Sequence, residues 1–90
     1  MAVTYKVPQI KNGDKGIAVV LFQGIMTYRI NGMSGKPFYE GEIDGEFGPM
    51  TEKAARRYQT VMKEMGYNFS VDGIVGNQTW ESILGALPRA

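Results

Sequence analysis

The chain has 90 residues, of which 43% are hydrophobic and 11% aromatic, so it can form one small domain with a single core, and two independent domains are excluded. It contains no Cys and no His, which excludes disulfides, zinc sites built from these residues, and catalysis centred on either of them within this chain. Ten Lys and Arg against nine Asp and Glu give a net charge of +1, which provides little long-range attraction to nucleic acid or to an anionic membrane.

The first residues, MAVTYKVPQI, are predicted to form an N-terminal arm over residues 1–12 of a single domain that spans residues 1–90. They lack the basic start and the continuous apolar stretch of a signal peptide, and no part of the chain approaches the roughly 18 apolar residues of a membrane span. We therefore expect no membrane contact. A role outside the cell would need another route of release, transport on a phage particle, or excision from a longer protein.

A first helix is predicted over about residues 14–30, with Asp14 as its N-cap. Its apolar residues form two stripes, one of Ile17, Leu21, Ile25 and Tyr28 and the other of Val19, Phe22 and Met26. A helix that is apolar nearly all round is typical of the buried centre of a domain, and the alternative is that one stripe faces a partner chain. The run is also rich in Val and Ile, which leaves a strand open as a second interpretation.

Two further helices are predicted over about residues 49–65 and 77–87. The second is strongly amphipathic, with Pro49 at its first position and Gly66 just beyond its end. The third is short, carries apolar residues at i, i+3, i+4 and i+7 from Trp80, and is closed by Pro88. The predicted fold is therefore all-α, a compact bundle of three helices with a long, glycine-rich loop between the first two.

Each of the last two helices follows a copy of one turn, DGEFGPMT at residues 44–51 and DGIVGNQT at residues 72–79, which begin 28 positions apart. In such a turn the Asp side chain bonds the backbone two residues on, the first Gly supplies a positive φ, the apolar residue enters the core, and the Thr reaches free N–H groups of the helix. The residues assigned to these two structural turns are Asp44, Gly45, Phe47, Gly48, Thr51, Asp72, Gly73, Val75, Gly76 and Thr79.

Asp-Gly pairs near acidic residues also raise the possibility of calcium binding or of carboxylate catalysis. The ligand spacing of an EF-hand is absent, so we predict no metal site and no cofactor. The acidic residues at 40, 42, 44 and 46 are interpreted as a solvated loop, because so small a bundle has little room for the cleft that two catalytic carboxyls need. We predict no catalytic residue and no enzyme activity.

Three segments in this order resemble the type 1 peptidoglycan-binding domain family. The matching positions are Gly13, Asp14, Gly16, Val19, Phe22, Gln23 and Met26 in the first segment, Asp44, Gly45, Phe47, Gly48, Thr51, Ala54, Tyr58 and Gln59 in the second, and Val71, Asp72, Gly73, Ile74, Val75, Gly76, Thr79, Trp80 and Leu84 in the third. The likeness spans about residues 10–87. The chain departs from the family pattern in a longer first connection and in Phe22 and Tyr58, where Leu and Phe are common.

The resemblance implies a non-catalytic module that binds bacterial cell-wall peptidoglycan beside the catalytic domain of a lytic or wall-remodelling enzyme, as in an endolysin-like protein of a bacterium or bacteriophage. It supplies no strict ligand motif. Because sugar faces stack on aromatic rings and amides bond polar groups, the candidate ligand-binding residues are taken from the two loops before the turns: Phe38, Tyr39, Tyr67, Asn68 and Phe69.

These loop aromatics have an alternative interpretation as core residues of a small domain. Tyr39 and Tyr67 are preferred over the two Phe as ligand contacts, because a phenol keeps a polar group at a wet surface. Gln23 and Gln59, each after an aromatic residue, are predicted to be buried and bonded to the turn backbone.

The alternative function is that of an adaptor or assembly module, which docks a partner protein in a phage particle or secretion machine. A helix-turn-helix role is disfavoured because acidic residues dilute the basic face of the second helix, so no nucleic-acid partner is expected. The expected form is a monomer.

Overall fold

The computed structural model describes residues 8–85, and within them three helices and one pair of short strands. The elements in chain order are α1 (Ile17–Tyr28), β1 (Ile30–Asn31), β2 (Lys36–Pro37), α2 (Pro49–Glu64) and α3 (Asn77–Ile83). The prediction of a mostly helical fold with three helices is confirmed, but the fold is not purely all-α. Over residues 8–85 no helix is long and apolar enough to cross a membrane.

The segment before α1 joins the two turns to each other and makes a tight turn of its own, in which the N–H of Asp14 donates to the carbonyl of Lys11 at 3.0 Å. Ile10 forms an antiparallel bridge with Val75, and farther along Gly13 donates to the carbonyl of Phe47 at 2.9 Å. Ile10 is buried in the core. The later part of the predicted N-terminal arm is therefore part of the domain, because its backbone satisfies the polar groups of both turns.

Helix α1 begins three residues later than predicted, after Gly16. Asp14 is not its N-cap. The Asp14 carboxylate instead accepts from the N–H of Lys11 at 2.9 Å, and the Asp14 carbonyl accepts from Phe47. Pairing with the first turn and a tight turn over residues 11–14 keep this stretch out of the helix, so the prediction of a helix start here was wrong.

The connection between α1 and α2 contains a hairpin that was not predicted. Strands β1 and β2 pair antiparallel, with Ile30 opposite Pro37 and Asn31 opposite Lys36. Asn31 closes the turn with its side-chain oxygen, which accepts from Met33 at 2.9 Å. Strands of two residues are too short to show an alternating pattern in the sequence.

Helices α2 and α3 begin at the predicted residues, Pro49 and Asn77, but they end earlier than predicted, at Glu64 and Ile83. Pro49 stands at the start of α2, and Gly66 follows its C-cap with a φ of 102°, as its role as the C′ residue requires. Helix α3 ends at Ile83 because Gly85 adopts a φ of 74°. Leu84 and Gly85, which the predicted helix included, lie beyond its end, and the predicted last residue Leu87 and the stop at Pro88 lie outside the described residues.

One stripe of α1 is buried and the other is exposed. Phe22 stacks on Phe47, with ring centroids 6.2 Å apart, and meets Trp80 edge-on at 6.1 Å, which places α1, the first turn and α3 in one core. On the opposite face, Ile17 is 82% exposed and Tyr28 is 84% exposed. The expectation that α1 is buried all round was wrong, because most of this stripe is exposed, and the alternative that it faces a partner chain stays a prediction.

The buried side chain of Gln23 bonds the first turn. Its Oε1 accepts from the N–H of Gly45 at 2.9 Å. Its Nε2 lies 3.1 Å from Asp44 Oδ1, 3.1 Å from the carbonyl of Glu46 and 3.0 Å from Thr51 Oγ1. An amide NH2 has two hydrogens, so these acceptors share them. The predicted burial of this Gln and its bonding to turn backbone are confirmed.

Gln59 repeats the arrangement at the second turn. Its Oε1 accepts from Gly73 at 3.0 Å, and its Nε2 lies 3.1 Å from Asp72 Oδ1, 2.9 Å from the carbonyl of Ile74 and 3.3 Å from Thr79 Oγ1. In both turns the Asp Oδ1 also accepts from the N–H two residues on, and the following Gly has a φ of 75°.

The two Thr residues act differently from the expectation. Thr51 and Thr79 are buried, and their hydroxyls lie within hydrogen-bond distance of Gln23 and Gln59. Neither α2 nor α3 has a side-chain bond to its cap N–H groups. The hydroxyls are directed toward the core because each Gln amide is the nearer polar group there.

Replacement of Gln23 by Met keeps most of the side-chain volume but removes the partners of the Gly45 N–H and the Glu46 carbonyl. We expect a loss of roughly 2 to 4 kcal/mol in the free energy of unfolding, measured by urea denaturation. The exposed Gln9 is the matched control, and Gln9→Met should change stability by less than about 0.5 kcal/mol. Equal stability of the two variants would contradict the structural role of Gln23.

The Asp44 turn also predicts a pH dependence. Hydrogen bonds from the Glu46 N–H and from Gln23 lower the pKa of Asp44 below its ordinary value of 3.8. Because the folded-state pKa is the lower one, the carboxylate stabilises the fold fully above about pH 3.8, and this contribution is lost as the pH falls through the folded-state pKa. The unfolding free energy of Asp44→Asn should therefore fall less than that of the parent between about pH 5 and pH 2. Parallel pH profiles would refute this role.

Candidate ligand-binding surface

A polar recess of about 230 Å³ lies beside the second turn. Four parts of the chain form it, namely the segment before α1, the side chain of Gln59 on α2, the second turn with the residue shortly before it, and the first residues of α3. The lining residues are mostly uncharged amides and hydroxyls: Gln9, Gln59, Ser70, Asp72, Ile74, Gly76, Asn77, Gln78 and Thr79.

The backbone around the recess is fixed by hydrogen bonds to buried groups. The bridge between Ile10 and Val75 brings Gln9 alongside Gly76, with N···O distances of 3.1 and 2.9 Å in the bridge. The Trp80 indole donates to the carbonyl of Pro8 at 3.0 Å and ties α3 to the same segment. The recess therefore exists before any ligand arrives.

The predicted contacts Tyr67 and Asn68 lie on an exposed loop that is bonded to the recess. The carbonyl of Asn68 accepts from Gln78 Nε2 at 2.7 Å. Tyr67 is 42% exposed and packs edge-on against Phe69, with centroids 6.4 Å apart. Tyr67 is thus a partly exposed aromatic residue next in the chain to the residue whose carbonyl Gln78 bonds.

The other three predicted contacts are core side chains in the free protein. Phe38, Tyr39 and Phe69 are only 5%, 4% and 5% exposed. Phe38 packs edge-on against Tyr58, with centroids 5.4 Å apart. The Tyr39 hydroxyl, the reason for preferring this residue, points inward, where it donates to the carbonyl of Glu42 and lies 3.3 Å from the amide of Gln23. Such buried rings offer almost no face for a ligand.

Sequence reasoning missed four of the polar recess residues: Gln9, Ser70, Asn77 and Gln78. A usable signal was present in the two copies of the turn. The second copy carries Asn77 and Gln78 where the first carries Pro49 and Met50. The repeated letters define the shared fold, and two of the positions that differ, Pro49 and Met50 against Asn77 and Gln78, are exposed in each copy.

The charges near the second turn lie mainly on its other side. Arg56 pairs with Glu52, with N···O at 3.1 Å, and donates to the carbonyl of Val71 at 3.3 Å. Hydrogen bonds from Asn12 and then from Arg56 lower the pKa of Glu52. Within residues 8–85, Asp72 is the one lining residue of the recess that has a charged side chain.

A second concavity, of about 540 Å³, is mainly apolar and lies between the hairpin and α2. Its lining residues include the exposed Met33 and Met65, together with Ile30, Val61 and Met62. We call this concavity the apolar groove. It has few polar groups to orient a ligand, whereas the recess has many.

Among the described residues, neither the recess beside the second turn nor the apolar groove has two carboxylates in its lining. Asp44 is bonded into its turn, and Glu46 pairs with Lys15 at 3.5 Å on the surface. The recess that contains Glu40 holds Lys36 and Arg57 as its other charged groups. Over residues 8–85 there is also no group of three or more Asp, Glu, His or Cys positioned to hold a metal ion.

Comparisons with known proteins agree with this architecture. A family model described as "Putative peptidoglycan binding domain" matches residues 34–83, more than half of the chain. The crystal structure of the SleB N-terminal domain is 29% identical, with a TM-score of 0.66, and the match covers 92% of this chain and 97% of that one. An endolysin of Burkholderia phage AP3 shares the fold at 22% identity and a TM-score of 0.68, with 91% of this chain and 27% of the endolysin covered.

A search of curated proteins found no match. The extent of the family match confirms the resemblance seen in the sequence, and the SleB N-terminal domain matches over nearly its whole length. The chain belongs to the peptidoglycan binding domain family.

Proposed function

We propose that the chain binds peptidoglycan through the recess beside the second turn and the adjoining Tyr67 loop, and that it directs a lytic or wall-remodelling activity to the bacterial cell wall. The observation that carries the proposal is the preformed row of neutral amides and hydroxyls next to an exposed aromatic ring, in a chain of this family. We expect the module to act as a monomer.

The chemistry of the surface suits a cell-wall polymer. Sugar rings have apolar faces that pack on aromatic rings, and Tyr67 exposes part of such a ring. Hydroxyl and amide groups of the polymer need partners that both donate and accept, which Asn77, Gln78 and Ser70 provide. Because Gln59 already holds the turn, binding requires little ordering of the backbone.

Cleavage of the wall is assigned to a separate domain, fused or associated. Two observations support this: among the described residues the recess, the apolar groove and the concavity at Glu40 each have at most one carboxylate in their lining, whereas glycoside cleavage needs two, and in the Burkholderia phage endolysin the matching region is 27% of a longer chain. A module that holds the substrate raises the local concentration of substrate at a neighbouring catalytic site.

Co-sedimentation with purified sacculi tests the proposal. The parent chain should pellet with sacculi, and Gln78→Ala and Tyr67→Ala should each weaken binding about 5- to 10-fold, since each removes one contact worth roughly 1 kcal/mol or slightly more. Met50→Ala is the matched control, because Met50 is the exposed counterpart of Gln78 in the first turn and should bind like the parent.

Protein that stays wholly in the supernatant with sacculi of several wall chemotypes would refute wall binding. Equal losses of binding affinity for Met50→Ala and Gln78→Ala, with unfolding midpoints unchanged, would show that the recess is not the contact with the wall.

The exposed stripe on α1 favours a second candidate, the adaptor role. Ile17, Leu21 and Tyr28 form an apolar surface that no described part of the chain covers. A chain that ignores sacculi but forms a stable oligomer in size-exclusion with light scattering, and that Leu21→Lys returns to a monomer, would support this role over wall binding.

A further inference from the structure

We propose that the recess reads the glycan strand of the wall, through the hydroxyl and acetamido groups of its amino sugars, and not the carboxylates of the stem peptides. This inference rests on the proposed function and names the part of the polymer that the same site recognises.

The charge of the recess argues for an uncharged ligand. Recognition of a carboxylate usually uses Arg or Lys, often in a two-pronged hydrogen bond. Among the described residues no Arg or Lys lines the recess, and the charged residue there, Asp72, is itself a carboxylate. The guanidinium of Arg56 is held behind the turn by Glu52 and the Val71 carbonyl. A stem-peptide carboxylate in the recess would meet repulsion from Asp72 and no counter-charge.

The available hydrogen-bonding groups match sugar substituents. Among residues 8–85, the side chains of Gln9, Ser70 and Asn77 have no hydrogen-bond partner, so they are free to bond a ligand. Gln78 uses its NH2 group on Asn68 and keeps its carbonyl oxygen as an acceptor. Amides and hydroxyls that both donate and accept pair well with hydroxyl and acetamido groups, which have the same mixed character.

The size of the recess is also consistent with one sugar unit. Its volume of about 230 Å³ is below the usual range of about 300 to 1,000 Å³ for sites that enclose a drug-sized molecule. We infer that it holds one ring or one acetamido-bearing group, while the Tyr67 ring supports the next unit of the strand.

The first turn shows that the fold does not require these amides. It has the same bonded Gln and Asp-Gly pair, yet carries Pro49 and Met50 where the second has Asn77 and Gln78. Its surface also has Glu46 paired with Lys15 where the second turn has Ile74. The neutral polar lining is therefore a property of the second copy, added on a common backbone.

Competition on intact sacculi tests the inference, with the tetrasaccharide of N-acetylglucosamine and a synthetic stem pentapeptide as competitors. The tetrasaccharide should displace the protein, and the pentapeptide at equal concentration should not. Sacculi stripped of their stem peptides by an amidase should retain binding within about threefold of intact sacculi. Binding should change little between low and moderate salt, because no charged pair is formed.

The double variant Asn77→Ala/Gln78→Ala should bind intact sacculi and stripped sacculi more weakly than the parent does, by the same factor in both cases. Its midpoint of urea unfolding checks that it is folded. Displacement by the pentapeptide, or a loss of more than about tenfold on stripping, would overturn the glycan assignment while leaving wall binding intact. Retained binding to stripped sacculi supports it even if the short tetrasaccharide fails to compete. No binding to intact sacculi would overturn the proposed function and this inference together.

Discussion

The hydrogen bonds between a buried Gln side chain and the backbone of an Asp-Gly turn are the constraint on which the rest of the structure depends. Each turn directs an N–H and a carbonyl toward the core, where neither a helix nor a strand can pair them, and an unpaired buried group costs roughly 1 to 3 kcal/mol. Gln23 and Gln59 supply both partners at once. Because each Gln lies on the helix before its turn, the bond also sets the direction in which the next helix begins. Without it, the recess beside the second turn would have no fixed wall.

The same constraint explains why the two halves tolerate different connections. The bonded Gln and Asp are 21 residues apart in the first half and 13 apart in the second. The difference of eight residues (21 minus 13) equals the length of the hairpin segment 30–37. A hairpin closes on itself, so its insertion leaves the Gln and the turn in place. The consequence of the hairpin is local: the first half gains a wall of the apolar groove, and the second half keeps a short loop, whose Asn68 carbonyl is bonded to Gln78 of the polar recess.

Much of the frame could be predicted because it depends on local rules. The amphipathic pattern, Pro49 and Gly66 define α2, and the aromatic-Gln pairs indicated two buried amides. Features decided by distant contacts could not be predicted. Asp14 is a good N-cap in isolation, but its backbone pairs with a turn more than 30 residues away. The sequence indicated candidate contacts by residue type and by their place in the two loops, but it could not show which of them are buried. Tyr39 uses its hydroxyl inside the core, whereas Tyr67 remains at the surface. The recess amides were missed because single Asn and Gln residues carry no periodic signal.

The central claim is that the second turn, and not the first, meets the wall. Chemical-shift mapping of the amide and side-chain NH2 resonances, with soluble peptidoglycan fragments added to the labelled chain, tests this most directly. The account predicts shifts at Tyr67, Asn68, Asn77 and Gln78, with Met50 in the first turn unaffected. Shifts confined to the apolar groove around Met33 and Met65, or to the exposed stripe of α1, would contradict it.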